Sequence, residues 1–260
     1  MPASAITDFI ADLHLSPQTP EINRRFLHYL DGQAHQAGQL FILGDLFEAW
    51  PGDDAIDDPD DGGFAAAIVA ALRRLSDAGT ALSLMHGNRD FLLGETFAAR
   101  CGARLLPDPF ALTLPAAPGS GLPEFRCILS HGDALCTNDR EYQAIRAQVR
   151  QPAFQATMLA RPLAERKAMA AAFRQQSERT WEEKIRQGRL SDGDVATETT
   201  ENFLREHHYA TLIHGHTHLP ATHVHTIDGK NVERWVLADW RKDSGEILRF
   251  DGRQLCRIAV

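Results

Sequence analysis

The chain has 260 residues, 43% hydrophobic and 24% charged, the make-up of an ordinary folded protein and not of a disordered or fibrous one. Its length suits one large domain, or one domain carrying an insertion. With 27 Lys and Arg against 35 Asp and Glu the net charge is −8, which argues against a general nucleic-acid binder, because neutralising phosphates takes a basic surplus.

Residues 5–11 predict a strand. Asp8 and Asp12 interrupt this apolar stretch and no basic segment precedes it, so a secretory signal is not expected. Residues 21–37 place Ile22, Phe26, Leu30 and Ala34 at four-residue spacing and predict a helix. Residues 40–43 predict a second strand. An aspartate run follows, in which Asp53, Asp54, Asp57, Asp58, Asp60 and Asp61 put −6 into a segment without Lys or Arg. Residues 64–78 predict a helix, and its apolar run, 64–72, is the longest of the chain and far too short to span a bilayer.

A third strand is predicted at 81–85, a loop or hairpin tip at 115–123, and short strands at 125–129 and 211–213. Residues 139–207 break the alternation with a mainly helical stretch, interrupted by Pro152, Pro162 and Gly188. They predict an inserted helical cap on a catalytic domain made of residues 1–138 and 208–260. Between residues 140 and 190 stand 11 Lys and Arg and 5 Glu, a local charge of +6. Residues 224–260 predict several strands separated by Asp-Gly turns at Asp228 and Asp251. The four cysteines, Cys101, Cys127, Cys136 and Cys256, form no CxxC pair, which suits a reducing cytoplasm.

Five polar clusters each follow a predicted strand: Asp12-Leu13-His14, Gly44-Asp45, Gly87-Asn88-Arg89-Asp90, His131-Gly132-Asp133 and Gly215-His216-Thr217-His218. In an open α/β sheet, side chains at the carboxyl ends of strands converge on one crevice. Two carboxylates, one amide oxygen and four imidazoles, without thiolate, suit Mn, Fe, Co, Ni or Zn better than calcium. Seven ligands are too many for one ion with open positions and enough for two that share a carboxylate. Such a pair can clamp a phosphate and acidify a bridging water. Each cluster alone has a plain reading: Gly-Asp is often a turn, Gly-Asn-Arg-Asp a turn or helix cap, and a single histidine a satisfied core residue. It is the ordered set of five that points to metal.

The order DxH, GD, GNRD, HGD, GHTH resembles the calcineurin-like metallophosphoesterases. The flanking text is similar to the UDP-2,3-diacylglucosamine hydrolase family over nearly the whole chain: IADLHL at 10–15, ILGDLFEAW at 42–50, HGNRDFLL at 86–93, HGDALCT at 131–137 and IHGHTHLP at 213–220. The resemblance implies an α/β fold of the calcineurin-like metallophosphoesterase type, two sheets flanked by helices, with an inserted helical cap.

It further implies two divalent ions, usually manganese. Asp12, His14, Asp45 and His218 would hold the first ion, with Asp45 bridging, and Asn88, His131 and His216 would complete the second. Asn88, Arg89 and His216 match substrate-contacting positions, as do Asp139, Ser177 and Lys184 in the cap. Trp181 stands where the family has a small polar residue. The implied reaction cleaves the pyrophosphate of UDP-2,3-diacylglucosamine to UMP and 2,3-diacylglucosamine 1-phosphate in lipid A synthesis, with Arg89 on the phosphate oxygens.

Within the basic cap, Met158, Leu159, Leu163, Met169 and Phe173 either pack onto the catalytic domain or form a groove for acyl chains. A basic amphipathic segment of this kind predicts peripheral association with the cytoplasmic face of the inner membrane, and no obligate protein partner is expected. The competing readings are a metallophosphoesterase acting on a soluble nucleotide and a non-catalytic scaffold. Scaffolds of this fold tend to lose ligands, and here all seven positions are filled.

Overall fold

The computed structural model describes residues 6–61, 63–117, 119, 124–187 and 193–260, without the side chains of Glu178, Trp181, Glu182 and Lys184. The first half alternates strand and helix: β1 (Thr7–Ile10), α1 (Pro20–Asp31), β2 (Gln39–Leu43), α2 (Phe64–Asp77), β3 (Ala81–Met85), α3 (Glu95–Cys101) and β4 (Ala103–Leu106). Pro20 opens α1 at a position where its missing N–H costs nothing, and Gly32 ends the helix. The helix expected to run to residue 37 therefore stops at Asp31, and one 3-10 turn, Gln33–Gln36, completes it. The elements α3, β4 and β5 (Phe110–Pro115) carry no expectation from the sequence.

Then come β6 (Glu124–Ser130), the helices α4 (Arg140–Val149), α5 (Pro152–Leu159), α6 (Leu163–Arg186) and α7 (Thr197–Glu206), and β7 (Thr211–His214). The chain closes with β8 (Ala221–Ile227), β9 (Lys230–Val236), β10 (Glu246–Phe250) and β11 (Leu255–Ala259). Glycine-bearing turns at Asp228 and Asp251 separate these last strands as the sequence predicts.

Two mixed sheets result. The six-stranded sheet has the order β11-β10-β1-β2-β3-β4, with β1 to β4 parallel, and the five-stranded sheet has the order β5-β6-β7-β9-β8, with β6, β7 and β9 parallel. Parallel strands covered on both faces read as continuous apolar runs, and the side chains then sort by alternation. Phe9, Phe41, Leu43 and Met85 point between the sheets against Leu129 and Ile213. Ile10, Leu40, Ile42 and Leu84 point the other way, against Phe26, Ile68, Leu72 and Phe97 of α1 to α3. The inter-sheet layer includes the stacked pairs Phe9–Phe41 and Phe125–Phe250, at 5.4 and 4.7 Å between centroids. Each pair adds about 0.5–1.5 kcal/mol beyond its burial.

Outside the second sheet, Leu204 of α7 packs on Ile128, Leu212 and Val232. The other helices of the 139–207 stretch reach the first-sheet side. Met158 of α5 is buried in the cluster beneath α1 to α3 and Met169 of α6 packs against it, whereas Leu159 and Phe173 are exposed.

Candidate metal centre

All five polar clusters sit where β1, β2, β3, β6 and β7 end, so both sheets deliver side chains to one place. The backbone there is unusual. Asp12, His14, Asp45, His216 and His218 have φ between 50° and 69°, and among the described residues only three other non-glycine residues share that region. Left-handed backbone is costly for L-residues and concentrates where geometry is functionally constrained.

Backbone amides fix the carboxylates. His216 N donates to Asp12 Oδ2 and Arg89 N to Asp45 Oδ1, both at 2.8 Å. One oxygen of each, Asp12 Oδ1 and Asp45 Oδ2, is left facing the imidazoles. The glycines of GNRD and GHTH permit this closeness: a Cβ on Gly87 would collide with the Asp45 carboxylate, and one on Gly215 with that of Asp12. Asp90 braces the second cluster from below, its buried carboxylate accepting from Gly87 N at 2.7 Å and Leu46 N at 2.8 Å.

Around the two free oxygens the nitrogens close in. His218 Nε2 lies 3.7 Å from Asp12 Oδ1 and 3.3 Å from His14 Nε2, which in turn is 3.9 Å from Asp45 Oδ2. On the other side His131 Nε2 is 3.8 Å from Asp45 Oδ2 and 3.0 Å from Asn88 Oδ1, and His216 Nδ1 is 2.9 Å from the same amide oxygen. Two triads, Asp12-His14-His218 and Asp12-Asp45-His131, hold their donor atoms within 4.8 Å of one another. The structure thus brings together all seven residues predicted from the sequence as ligands.

The electrostatics favour a cation. Asp12 Oδ1 is buried and has no hydrogen-bond partner, a costly state for a carboxylate unless a positive charge faces it. Burial alone would raise the Asp12 pKa, but the surrounding imidazoles of His218, His131 and His14 outweigh it and bring the group to about 2. Burial pushes Asp45 up. His131, which burial alone would depress, is driven up to about 9 by Asp45, Asp133 and Asp12. A cluster that pulls protons onto a fully buried imidazole will also draw a metal ion. His131 is oriented for it, with Nδ1 2.9 Å from the Leu43 carbonyl and Nε2 turned inward.

Two residues beside the centre, Glu48 and Tyr142, carry no expectation from the sequence, and Asp133 of the fourth cluster joins them there. Glu48, in the text after Asp45, lies 3.1 Å from His14 Nδ1, 3.7 Å from Arg89 Nη1 and 3.3 Å from Arg174 Nε of α6. Asp133, wholly buried, accepts from Tyr142 Oη at 3.0 Å and pairs with Arg146 at 2.8 Å, both on α4. The Tyr142 ring lies 5.5 Å from that of His216. A lone Glu or Tyr gives no motif; only the fold reveals them.

The cap positions scatter. Asp139 caps α4, accepting from Tyr142 N at 3.2 Å, and Ser177 is exposed on α6. The side chains of Trp181 and Lys184 lie outside the described residues.

No protein-family model matches the chain. Individual relatives do. It is 49% identical over 245 residues to a UDP-2,3-diacylglucosamine hydrolase of Aromatoleum aromaticum, covering 94% of this chain and 92% of the relative. The corresponding proteins of Chromohalobacter salexigens and Pseudomonas aeruginosa are 46% and 42% identical, each alignment covering 94% of this chain and at least 93% of the relative.

Proposed function

The chain belongs to the UDP-2,3-diacylglucosamine hydrolase family, and from that premise we propose that it hydrolyses the pyrophosphate of UDP-2,3-diacylglucosamine to UMP and 2,3-diacylglucosamine 1-phosphate on two divalent ions, manganese being the expected metal. The observation that carries the metal assignment is Asp12 Oδ1, a buried carboxylate oxygen without a hydrogen-bond partner and ringed by histidines. Asp12, His14, Asp45 and His218 would hold one ion, and Asp45, Asn88, His131 and His216 the other. When bound there, two cations supply charge stabilisation for the phosphate and an acidified water.

The remaining chemistry belongs to the protein. Arg89 has its backbone tied to Asp45 and its guanidinium beside Glu48, which sets a planar donor fork at the edge of the centre for phosphate oxygens. The leaving group is itself a phosphate and needs little protonation, so no general acid is assigned. Residues 139–207 act in this proposal as the helical cap for the acyl chains. Tyr142, Arg146 and Arg174 hold α4 and α6 beside the centre. The exposed Ile145, Leu159, Phe173 and Ile185 offer apolar surface to those chains and to a peripheral membrane contact. Among the described residues no helix is long and apolar enough to cross a membrane.

The test is direct. Purified, manganese-loaded protein should release UMP and 2,3-diacylglucosamine 1-phosphate, detected by mass spectrometry, and should leave UDP-glucose and simple nucleotides largely intact. Asp12→Ala and His131→Ala should each lower turnover by roughly three orders of magnitude, the scale of several kcal/mol of lost transition-state stabilisation, with a near-native circular dichroism spectrum. Wild-type rates in either variant would sink the two-ion reading.

A further inference from the structure

Beside the centre stands a buried cation. Arg234 of β9 is 5% exposed and shares a sheet face with Val232, pairing with Leu212. Its Nε donates to His225 Nε2 at 3.3 Å and its Nη1 lies 3.1 Å from Nε2 of the buried His214. Neither histidine can offer the guanidinium a negative charge. Among the described residues no carboxylate comes within ion-pair distance of this guanidinium. A desolvated cation left with neutral partners is costly to keep unless a ligand completes it.

Arg234 lines a cleft of about 310 Å³ together with His218, Leu219, His223 and Asp194. His218 belongs equally to the candidate centre, so the cleft starts where the centre ends. No residue of α4, α5 or α6 lines it. The volume stands at the small end of ligand sites, suited to a mononucleotide and not to a diacylated sugar. Asp194, whose Oδ1 accepts from Val195 N at 2.7 Å, faces the same space without pairing with Arg234. A group lodged between an arginine and a carboxylate that do not touch must present an acceptor to one and a donor to the other. The lactam edge of a pyrimidine, a carbonyl next to a ring N–H, does that. Leu219, 56% exposed at the rim, offers the apolar surface on which a flat ring can rest.

We propose that this cleft is the nucleoside subsite, in which Arg234 and Asp194 read the base of a pyrimidine nucleoside monophosphate while the phosphate stays at the centre. The inference rests on the function proposed above, since it divides that substrate at the pyrophosphate: lipid half towards α4 to α6, nucleotide half between Asp194 and β9.

Calorimetric titration of the metal-loaded enzyme with UMP and with ribose 5-phosphate, which lacks the base, tests it. The wild type should hold UMP about tenfold tighter or more, the scale on which polar recognition discriminates. Arg234→Lys and Asp194→Ala should each bring UMP down to the affinity of ribose 5-phosphate, whose own binding persists and reports an intact fold. Asp194, only half-buried, guards against an Arg234 variant that fails to fold. A wild type that binds the two probes alike, or an Asp194→Ala protein that keeps its preference for UMP, would overturn the subsite. If the wild type nevertheless cleaves UDP-2,3-diacylglucosamine, the proposed function stands; a wild type that binds UMP selectively but leaves that substrate uncut overturns the function instead.

Discussion

Glu48 touches three side chains from different parts of the protein: His14 after β1, Arg89 after β3 and Arg174 on α6. A carboxylate on the outward nitrogen of a ligand imidazole fixes its orientation and raises its basicity, and losing such a partner typically weakens metal binding by about ten- to a hundredfold. Glu48→Gln should therefore lower manganese affinity on that scale, read by titration with metal independently of turnover; an unchanged affinity would show that packing alone orients His14. The seven proposed ligands were legible because each is a metal-competent type placed just after a strand. Glu48 was not, because its role exists only once three distant segments meet.

At the scale of elements, the acidic run and the basic cap turn out to face each other. Arg166 of α6 is buried, its guanidinium bonded to Asp54 and to the Pro51 carbonyl, and Lys167 pairs with Asp58. Removing Arg166 strips charge-assisted hydrogen bonds worth about 1.5–3 kcal/mol each set, so Arg166→Ala should loosen α5 and α6 and speed their cleavage by trypsin. Acid should act the same way. The hydrogen bond from Arg166 holds the Asp54 carboxyl below its ordinary 3.8. Its contribution is complete above that value and is lost as the pH falls through the lower folded one. Protection of α6 in hydrogen exchange should accordingly persist at pH 6 and fade only once the pH falls below the ordinary 3.8. The strands β1, β2 and β3 could be read from their apolar runs, since parallel strands covered on both sides show no polar alternation. The elements α3, β4 and β5 could not: α3 is two turns long, and β4 and β5 lie at sheet edges with half-exposed residues.

For the whole molecule, the net charge of −8 conceals how the charges are spent. Among the described residues, six basic side chains between 140 and 190 are engaged in ion pairs, with Asp133, Glu165, Asp54, Asp58 and Glu48. Much of the local surplus thus docks the cap and is not free for an anionic surface. Arg140 and Arg179 stay exposed, alongside the apolar Ile145, Phe173 and Ile185. The proposed membrane contact should then be mostly hydrophobic with a modest electrostatic part, near 1 kcal/mol for each available basic residue. Cosedimentation with anionic vesicles should weaken but not vanish as salt is raised from about 0.1 to 1 M. Complete release by salt would assign the contact to charge alone.

The left-handed backbone at Asp12, His14, Asp45, His216 and His218 has a consequence for how such a protein can be improved. Each non-glycine residue held there stores about 1–2 kcal/mol. Selection for heat resistance alone would release that stored energy by replacing those residues, and would arrive at a sturdier protein that no longer turns over. His218→Gly makes the point in one step. In the metal-free variant the strain relieved, about 1 kcal/mol, should offset the loss of the His218 imidazole beside Asp12 and keep the melting temperature near that of the metal-free parent, while the metal-loaded variant is inactive. Any thermostable form that keeps its activity must gain its stability elsewhere, in the sheets and helices that leave these five turns untouched.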